Sequence, residues 1–278
     1  MAPATSCGSR PTSTASRSAA ARPAEHREAR GAVAAAAAGR RTSPPVDKTA
    51  TTKSVAIAFF DLDKTLLSFN SASRWVRSEL RLGHLSLRQA LAAFGWIARY
   101  HLGFADIETG LRAAITTLAG EREAAIEART LVFYEREIRG RVRPGALPVL
   151  RQHRDQKDDL VLLTSSSPYL STPVVAELGL DGFLCTRFAV DADGRFTGAS
   201  AGPLCFGAGK VVHAEAYATE RGVALEACAY YADSMADVAM LQAVGHPVAV
   251  NPDPRLRLLA RERGWKVVDW GSAPPGGR

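Results

Sequence analysis

Residues 55–65 read Val-Ala-Ile-Ala-Phe-Phe-Asp-Leu-Asp-Lys-Thr, and this stretch decides the fold. Its first six residues are continuously apolar and rich in β-branched and aromatic side chains, a pattern typical of a strand buried on both faces of a parallel sheet. The run stops at Asp61 and Asp63, two carboxylates two positions apart. Ligands of open α/β sheets bind beyond the carboxyl ends of the strands, so this pattern predicts a site there.

Short apolar runs of the same kind recur further along the chain. Each is followed by polar residues and then by a helical pattern, and a last run supplies an edge strand. Strands that alternate with helices are typical of α/β proteins, so we expect a doubly wound, Rossmann-like parallel sheet. The later predicted strands cover residues 160–163, 229–232, 247–250 and 266–268.

About 90 residues separate the first two predicted strands, and their apolar positions recur every three to four residues. This spacing indicates helices, with Asn70 at the start of the first of them. We therefore predict an all-helical cap at residues 71–145, inserted into a core formed by residues 54–70 and 146–278. Asp193-Gly194, which lies between two short apolar runs, predicts a tight hairpin.

Residues 1–53 carry most of the positive charge of the chain. They contain nine Lys or Arg and three acidic residues, a net +6 of the total +7, and they have no Leu, Ile, Phe, Trp or Tyr. Such a segment cannot bury enough apolar surface to offset its ordering entropy, so we expect a disordered, basic, low-complexity tail. Its composition resembles a transit peptide, but a solvated extension or an upstream start site is the simpler interpretation.

The rest of the composition favours a globular cytoplasmic enzyme. A chain of 278 residues with 46% hydrophobic residues can fill a sizeable core. The longest apolar run, residues 90–98, falls far short of the ~20 residues that cross a bilayer, so we expect no membrane association. The four cysteines, which lack metal-finger spacing, indicate reduced thiols in a cytosolic protein. They are Cys7, Cys185, Cys205 and Cys228.

The Asp61-Leu62-Asp63-Lys64-Thr65 motif calls for a cation. Two like charges about 4 Å apart repel by roughly 4 kcal/mol at an effective dielectric constant near 20. A hard divalent ion with oxygen ligands, Mg²⁺, would relieve this repulsion. The alternative is a solvated turn that only caps the next helix, because short motifs recur by chance.

Three further elements follow the later strands in order. Thr164-Ser165-Ser166-Ser167-Pro168 offers hydroxyls and amides at a helix start, where phosphate binds, although an N-cap explains it equally well. Lys210 follows Gly207 and Gly209 and could neutralise a phosphoryl oxygen, but alone it reads as a surface lysine. Asp233 and Asp237 place two carboxylates four residues apart.

In this order, the four elements resemble the four motifs of the haloacid dehalogenase-like phosphatases, and the helical insertion is similar to that of the phosphoserine phosphatase branch. The resemblance implies an Mg²⁺-dependent phosphatase that hydrolyses a small phosphorylated metabolite through an aspartyl-phosphate. Asp61 would be the nucleophile and Asp63 the general acid and then the general base. Mg²⁺ would be held by Asp61, Asp233 and the main-chain carbonyl of Asp63, and Asp237 would complete the metal site by ordering the metal shell or the lysine. Phosphate would be contacted by Thr65, Ser165, Ser166 and Lys210.

Two positions depart from the phosphoserine phosphatase pattern. Asn70 stands where those enzymes carry a glutamate that engages the substrate ammonium, and Ser166-Ser167 replaces a glycine pair. Both changes weaken the case for phosphoserine and leave histidinol phosphate and other small phosphomonoesters open. The phosphate-binding hydroxyl could also be counted at Thr164 instead of Ser165.

Other functions remain as alternatives. A phosphotransferase of the same family would need an acceptor other than water. A phosphoryl-accepting receiver module uses similar residues, but the order of the motifs argues against it. In a receiver the acidic pair follows the first strand, the accepting aspartate comes later, and no cap is inserted. A catalytically silent phosphate-binding scaffold could bind nucleic acid through the basic tail, a partner that we do not expect. On the first cap helix, Arg74, Trp75, Arg77 and Arg81 could face the site, although a solvated helix face is the simpler interpretation. His101 and His213 lack partners at ligand spacing, and the sequence does not specify the oligomeric state.

Overall fold

A computed structural model describes residues 56–88, 90–92, 94–95 and 107–272. The predicted tail at residues 1–53, with Cys7, lies outside these ranges, and so does His101. The division of the chain at residues 53, 70 and 145 stays a prediction. Within the described ranges, none of the helices combines the length and the apolar character that crossing a bilayer would require.

A six-stranded parallel sheet forms the centre of the structure. Its strands are β1 (Ile57–Phe60), β2 (Asp159–Thr164), β3 (Gly182–Cys185), β6 (Ala229–Ala232), β7 (His246–Val250) and β8 (Lys266–Val268). The chain winds first to one side of β1 and then to the other, in the order β3-β2-β1-β6-β7-β8, so the carboxyl ends of β1 and β6 lie side by side. This reversal is the topological switch point at which doubly wound sheets bind their ligands.

Helices cover both faces of this sheet, as the continuous apolar run of β1 predicts. Alternate β1 residues enter two separate cores: Ala58 and Phe60 join one, and Ile57 and Phe59 join the other. The first core is completed by helices α4 (Ala146–Asp155) and α5 (Pro168–Leu178). The second is completed by α6 (Ala208–Glu220), α7 (Val238–Ala243) and α8 (Pro254–Arg263).

Between β1 and α4 the chain forms helices α1 (Ser71–Arg81), α2 (Ile107–Thr116) and α3 (Glu123–Phe133), and α3 continues into a π-helical turn at Tyr134–Ile138. The segments that lead into and out of this insertion lie side by side, because Leu67 and Val142 form an antiparallel bridge. The predicted fold class, a doubly wound α/β sheet with a helical insertion after its first strand, is confirmed.

A small antiparallel hairpin lies outside the main sheet. Strands β4 (Phe188–Val190) and β5 (Phe196–Ser200) pair across the predicted Asp193-Gly194 turn, in which Gly194 adopts a φ of +72°. Such a φ favours glycine, so the turn prediction is confirmed with its physical reason. The backbone of Glu123 donates to the Gly194 carbonyl at 3.0 Å, which ties the hairpin to the helical insertion.

Candidate active site

The chain turns sharply after β1, and this turn sets the direction of the acidic motif. The backbone N–H of Asp61 still pairs with Tyr231 on β6, at 3.0 Å. Lys64 then adopts a φ of +60°, a left-handed conformation that is uncommon for a residue other than glycine. The buried guanidinium of Arg143 supports it by donating from Nε and Nη2 to the Lys64 carbonyl at 3.2 and 3.1 Å. A third donor of Arg143 binds the Gly271 carbonyl.

Lys210 lies at the centre of the site and is almost completely buried. Its ammonium donates to Asp61 Oδ1 at 2.7 Å, to Asp237 Oδ1 at 2.6 Å and to the Tyr230 hydroxyl at 2.9 Å. An ammonium has three protons, so every donor of Lys210 is used. Glycine is required just before it, because a Cβ on Gly209 would lie 2.0 Å from the Leu204 carbonyl oxygen.

The electrostatics of the site follow from the burial of several carboxylates around one cation. Burial raises the pKa of Asp61 to about 7 against the lowering effect of Lys210. Burial, with Asp61 and Asp237 adding to it, raises the pKa of Asp233 to about 8. Burial alone would lower the pKa of Lys210, but Asp237 and Asp61 hold it well above the ordinary value. Lys210 therefore stays protonated, and the carboxylates are short of positive charge.

One carboxylate oxygen each from Asp61, Asp233 and Asp237 lies within 4.8 Å of the other two. Asp61 and Asp233 directly follow the adjacent strands β1 and β6, and Asp237 closes the turn before α7. A set of hard oxygen donors with excess negative charge fits Mg²⁺. The side chain of Asp63 points to α1 instead, and its predicted ligand atom is the main-chain carbonyl.

Hydrogen bonds fix the turn that follows β6. Ser234 Oγ donates to Asp237 Oδ2 at 3.0 Å, and Thr65 Oγ1 donates to Asp233 Oδ1 at 3.5 Å. The Asp253 carboxylate accepts from the Met235 N–H at 3.1 Å, while the Asp253 N–H donates to the Asp233 carbonyl at 2.9 Å. Predicted residues from the first and last motifs are thus brought into contact.

Asp63 is bound to the first turn of α1. Its Oδ1 accepts from the Ser71 N–H at 2.8 Å, and its Oδ2 accepts from Asn70 Nδ2 at 3.1 Å. Asn70 is also the N-cap of α1, since its Oδ1 accepts from the Ser73 N–H at 2.9 Å. Burial raises the pKa of Asp63, and the bonds from Ser71 oppose that shift.

The predicted hydroxyl motif lies at the carboxyl end of β2, before α5. Thr164 is the last residue of that strand and is buried, and its Oγ1 accepts from the Ser166 N–H at 3.1 Å. Ser165 and Ser166 are half-buried in the turn that follows. The hydroxyl of Thr164 thus serves a local turn, while Ser165 comes next in the chain.

The basic residues of α1 make contacts within the helical insertion. Arg74 stacks on Phe69, with 3.6 Å between its Cζ and the ring centroid, and Arg74 and Arg81 both pair with Glu137. Trp75 packs edge-on against Phe133. Arg77 lies over the ring of Phe94, with 5.6 Å between its Cζ and the ring centroid.

His213, which the sequence treats as an ordinary polar residue, lies on α6. Its Nε2 donates to the Pro203 carbonyl at 3.0 Å.

Sequence reasoning missed two residues of the site, Tyr230 and Arg143, and one contact of a third residue, Asn70. Tyr230 reads as an ordinary residue of a buried strand, yet its hydroxyl donates to Asp237 Oδ1 at 2.6 Å. Arg143 lies near the end of the predicted insertion with no motif around it. The sequence predicts Asn70 as a helix start, but it does not reveal the contact of Asn70 with Asp63. The one signal for Tyr230 in the sequence is a hydroxyl within an apolar strand, because a buried hydroxyl needs a hydrogen-bond partner.

Comparisons with known proteins agree with this geometry. The model of the haloacid dehalogenase-like hydrolase family matches residues 58–242. A Mycobacterium tuberculosis protein named phosphoserine phosphatase is 35% identical over 84% of this chain and 75% of its own length. A Neisseria meningitidis histidinol-phosphatase is 28% identical over 77% of this chain and 98% of its own. A solved structure from Bordetella pertussis, of unknown function, superposes with a TM-score of 0.71 at 30% identity, covering 78% of this chain and 100% of the other.

The chain therefore belongs to the haloacid dehalogenase-like hydrolases. Within that family it falls in the phosphoserine phosphatase-like branch, and it is a phosphatase, an enzyme that hydrolyses phosphoric monoesters. The predicted family and enzyme class are both confirmed.

Proposed function

We propose that this phosphatase hydrolyses a small organic phosphomonoester through a phosphoryl group carried on Asp61. The observation that carries the proposal is the contact of Asp61 with Lys210 at the switch point of the sheet, inside a group of carboxylates. A nucleophilic carboxylate beside a fixed ammonium and a metal-binding group is the arrangement that phosphoryl transfer needs.

The first step transfers the phosphoryl group to the enzyme. A carboxylate oxygen of Asp61 attacks phosphorus, and the bond between phosphorus and the ester oxygen breaks. The bonding electron pair stays on the leaving oxygen, which takes the proton of Asp63 and departs as an alcohol. The hydroxyls of Ser165 and Ser166 donate to phosphoryl oxygens, and the positive charge of Lys210, whose protons are held by Asp61, Asp237 and Tyr230, offsets the negative charge of the phosphoryl group.

The second step returns the enzyme to its starting state. Asp63, now a carboxylate, takes a proton from water as the water oxygen attacks phosphorus. The bond between phosphorus and Asp61 breaks, the electron pair returns to the Asp61 carboxylate, and inorganic phosphate leaves. Lys210 holds Asp61 and Asp237 in place throughout, and Tyr230 fixes Asp237 by donating to it.

We propose that Mg²⁺ would be held by Asp61, Asp233, Asp237 and the main-chain carbonyl of Asp63. Bound Mg²⁺ supplies Lewis-acid stabilisation of negative charge on the transferring group. Support comes from the all-oxygen donor set and from the pKa values of Asp61 and Asp233, both raised by burial. Thr65 donates to Asp233 and so orients one ligand rather than touching the substrate directly.

The substrate class is a small phosphorylated metabolite of the phosphoserine or histidinol phosphate type. The names of two relatives support this class. Asn70 argues against recognition of an ammonium at that position, because its side chain is committed to Asp63 and Ser73. We propose a cytoplasmic location, which rests on the sequence expectation alone.

The test is phosphate release by the full-length chain from a panel of phosphorylated metabolites, with 5 mM Mg²⁺ or with EDTA. We expect turnover only with Mg²⁺, and Asp61→Asn should lower kcat by at least about 10³-fold, since no covalent step remains. Asp193→Asn, the same change in the exposed hairpin turn, should leave kcat unaltered. Parental turnover by Asp61→Asn would overturn the proposal.

The covalent intermediate can be tested separately. Acid quenching during turnover of a ³²P-labelled substrate should leave label on the protein, and hydroxylamine should remove it because it cleaves acyl phosphates. The same quench of Asp61→Asn should leave no label. Adding glycerol as an acceptor and measuring glycerol phosphate would separate transfer to an alcohol from hydrolysis.

A further inference from the structure

The contact between Asp63 and the first turn of α1 has a direct bearing on catalysis. We propose that Asn70 is a positioning residue, whose amide fixes the Asp63 carboxylate in the orientation that delivers a proton to the leaving group. The proposal rests on the function proposed above, because it takes Asp63 as the proton donor. Asn70 itself touches Asp63 rather than the substrate.

The orientation of the Asn70 amide follows from its contact with the backbone of Ser73. The Ser73 N–H is a backbone donor and can only meet an acceptor, so the atom at 2.9 Å from it must be Oδ1. Ser73 Oγ also lies 2.9 Å from that oxygen. The Nδ2 atom therefore faces Asp63, to which it donates at 3.1 Å. The capping bonds to Ser73 thus fix which end of the amide the carboxylate meets.

Two donors from one helix turn hold both oxygens of Asp63. The Ser71 N–H binds Oδ1, and the Asn70 amide binds Oδ2. A carboxylate has about four lone-pair sites, so each oxygen keeps a second one for the transferred proton. Without the Asn70 amide, Oδ2 loses its donor and only Ser71 holds the carboxylate, which is then freer to rotate about its Cβ–Cγ bond. A misplacement of about 1 Å in a catalytic group can cost about 10²-fold in rate.

An amide is the side chain of this size that can play both parts. Aspartate at position 70 would keep the capping acceptor but would turn a second carboxylate oxygen towards Asp63, which repels it. Serine would keep a capping oxygen, but its shorter side chain would have no donor that reaches Asp63. These two replacements separate the capping role of Asn70 from its contact with Asp63, since Asp, Ser and Asn are all good N-caps.

The experiment compares two substrates that differ in their need for a proton donor. The p-nitrophenolate group leaves as a stable anion, whereas the alkoxide of glycerol 2-phosphate must be protonated as it leaves. The quantity measured is kcat/KM, which covers only the steps up to release of the alcohol or phenol. Loss of proton donation therefore lowers the value for glycerol 2-phosphate selectively.

We expect Asn70→Asp and Asn70→Ser to lower kcat/KM for glycerol 2-phosphate about 10- to 100-fold and that for p-nitrophenyl phosphate less than about 3-fold. Where hydrolysis of the intermediate limits turnover, kcat and KM for p-nitrophenyl phosphate should fall together, because Asp63 also serves as the base. Ser73→Ala, which removes one contact to Asn70 Oδ1 and leaves the amide in place, should preserve the ratio of the two kcat/KM values.

The outcomes discriminate between explanations. If Asn70→Asp and Asn70→Ser keep the wild-type ratio while Asn70→Ala loses activity on both substrates equally, Asn70 is only a helix cap and the proposal is wrong. If the wild-type chain cleaves neither substrate nor any phosphomonoester, the proposed function fails and this proposal falls with it. Activity that Asp61→Asn abolishes, together with an unchanged ratio in the Asn70 variants, rejects the positioning role alone.

Discussion

Two charged clusters in this protein have similar partners and very different surroundings. In the core, Lys210 binds Asp61 and Asp237, and the exposed fractions of the three side chains are 3%, 9% and 6%. In the helical insertion, Glu137 binds Arg74 and Arg81, the second of which is 65% exposed. The first cluster is almost fully shielded from water, whereas the second is partly solvated, since Arg74 and Glu137 are 28% and 18% exposed.

The difference teaches where charge is placed for chemistry and where it is placed for solubility. Buried ions lose hydration worth several kcal/mol each, and their mutual attraction rarely returns more than that. Strongly perturbed pKa values such as those of Asp61 and Asp233 are typical of functional sites for this reason. Exposed ion pairs are screened and contribute at most about 1 kcal/mol.

Replacing Lys210 should give the largest effect of the comparison. Lys210→Met removes the single ammonium among three buried carboxylates, so kcat should fall by at least about 10³-fold. The free energy of unfolding should fall by about 3 kcal/mol, because unpaired buried charge is left behind. Urea titration followed by circular dichroism at pH 8 without Mg²⁺ measures this change.

Arg81→Met is the matched control for that experiment. The same change at an exposed member of the other cluster should alter the free energy of unfolding by less than about 1 kcal/mol. If the two variants lost equal stability, burial would not be what separates the clusters.

The dependence of stability on pH and Mg²⁺ should be the next largest effect. The pKa values of Asp61 and Asp233 are raised from 3.8 to about 7 and about 8, so between pH 4 and pH 8 the folded protein binds protons that the unfolded chain has released. Stability therefore falls as pH rises through this window when Mg²⁺ is absent. Mg²⁺ binds the ionised carboxylates and should offset the loss, so the rise in Tm that it causes should be greater at pH 8 than at pH 5.5.

Thermal unfolding at several pH values, with 5 mM Mg²⁺ or with EDTA, measures this dependence. Asp233→Asn should abolish most of the Mg²⁺-dependent rise in Tm, and Asp193→Asn should keep it. An equal rise at both pH values would show that the carboxylates are already ionised at pH 5.5.

The sequence predicts the core of the fold well, and the reasons are local. The run before Asp61 is apolar without alternation, as a strand buried on two faces must be, and Asn70 marks the start of α1 within one residue. Strand β3, with four residues and only partial burial, carries no such signal. It owes its place to pairing with β2, a tertiary contact that residue periodicity cannot reveal.

Within the site, the sequence predicts residue types better than it predicts partners. Asp61, Lys210 and Asp237 stand out because each follows a predicted strand or a glycine-rich turn. The hydroxyl of Tyr230 and the guanidinium of Arg143 become meaningful only when distant segments meet, as Lys210 and Asp61 do across 149 positions. Such contacts depend on the sheet order, and a strand residue such as Tyr230 otherwise reads as core.

The smallest effect should come from Glu137→Gln. This change leaves Arg74 and Arg81 without their shared carboxylate, but both guanidiniums keep water, and Arg74 keeps its stacking on Phe69. The free energy of unfolding should change by less than about 1 kcal/mol, and kcat/KM should be unaltered. Because the charges are partly solvated, raising the salt concentration to 1 M, which shortens the screening length to about 3 Å, should reduce the difference between the variant and the wild type. A loss above 2 kcal/mol that persists in 1 M salt would mean that the Glu137 cluster behaves as a buried network, and the contrast between core and insertion would then fail.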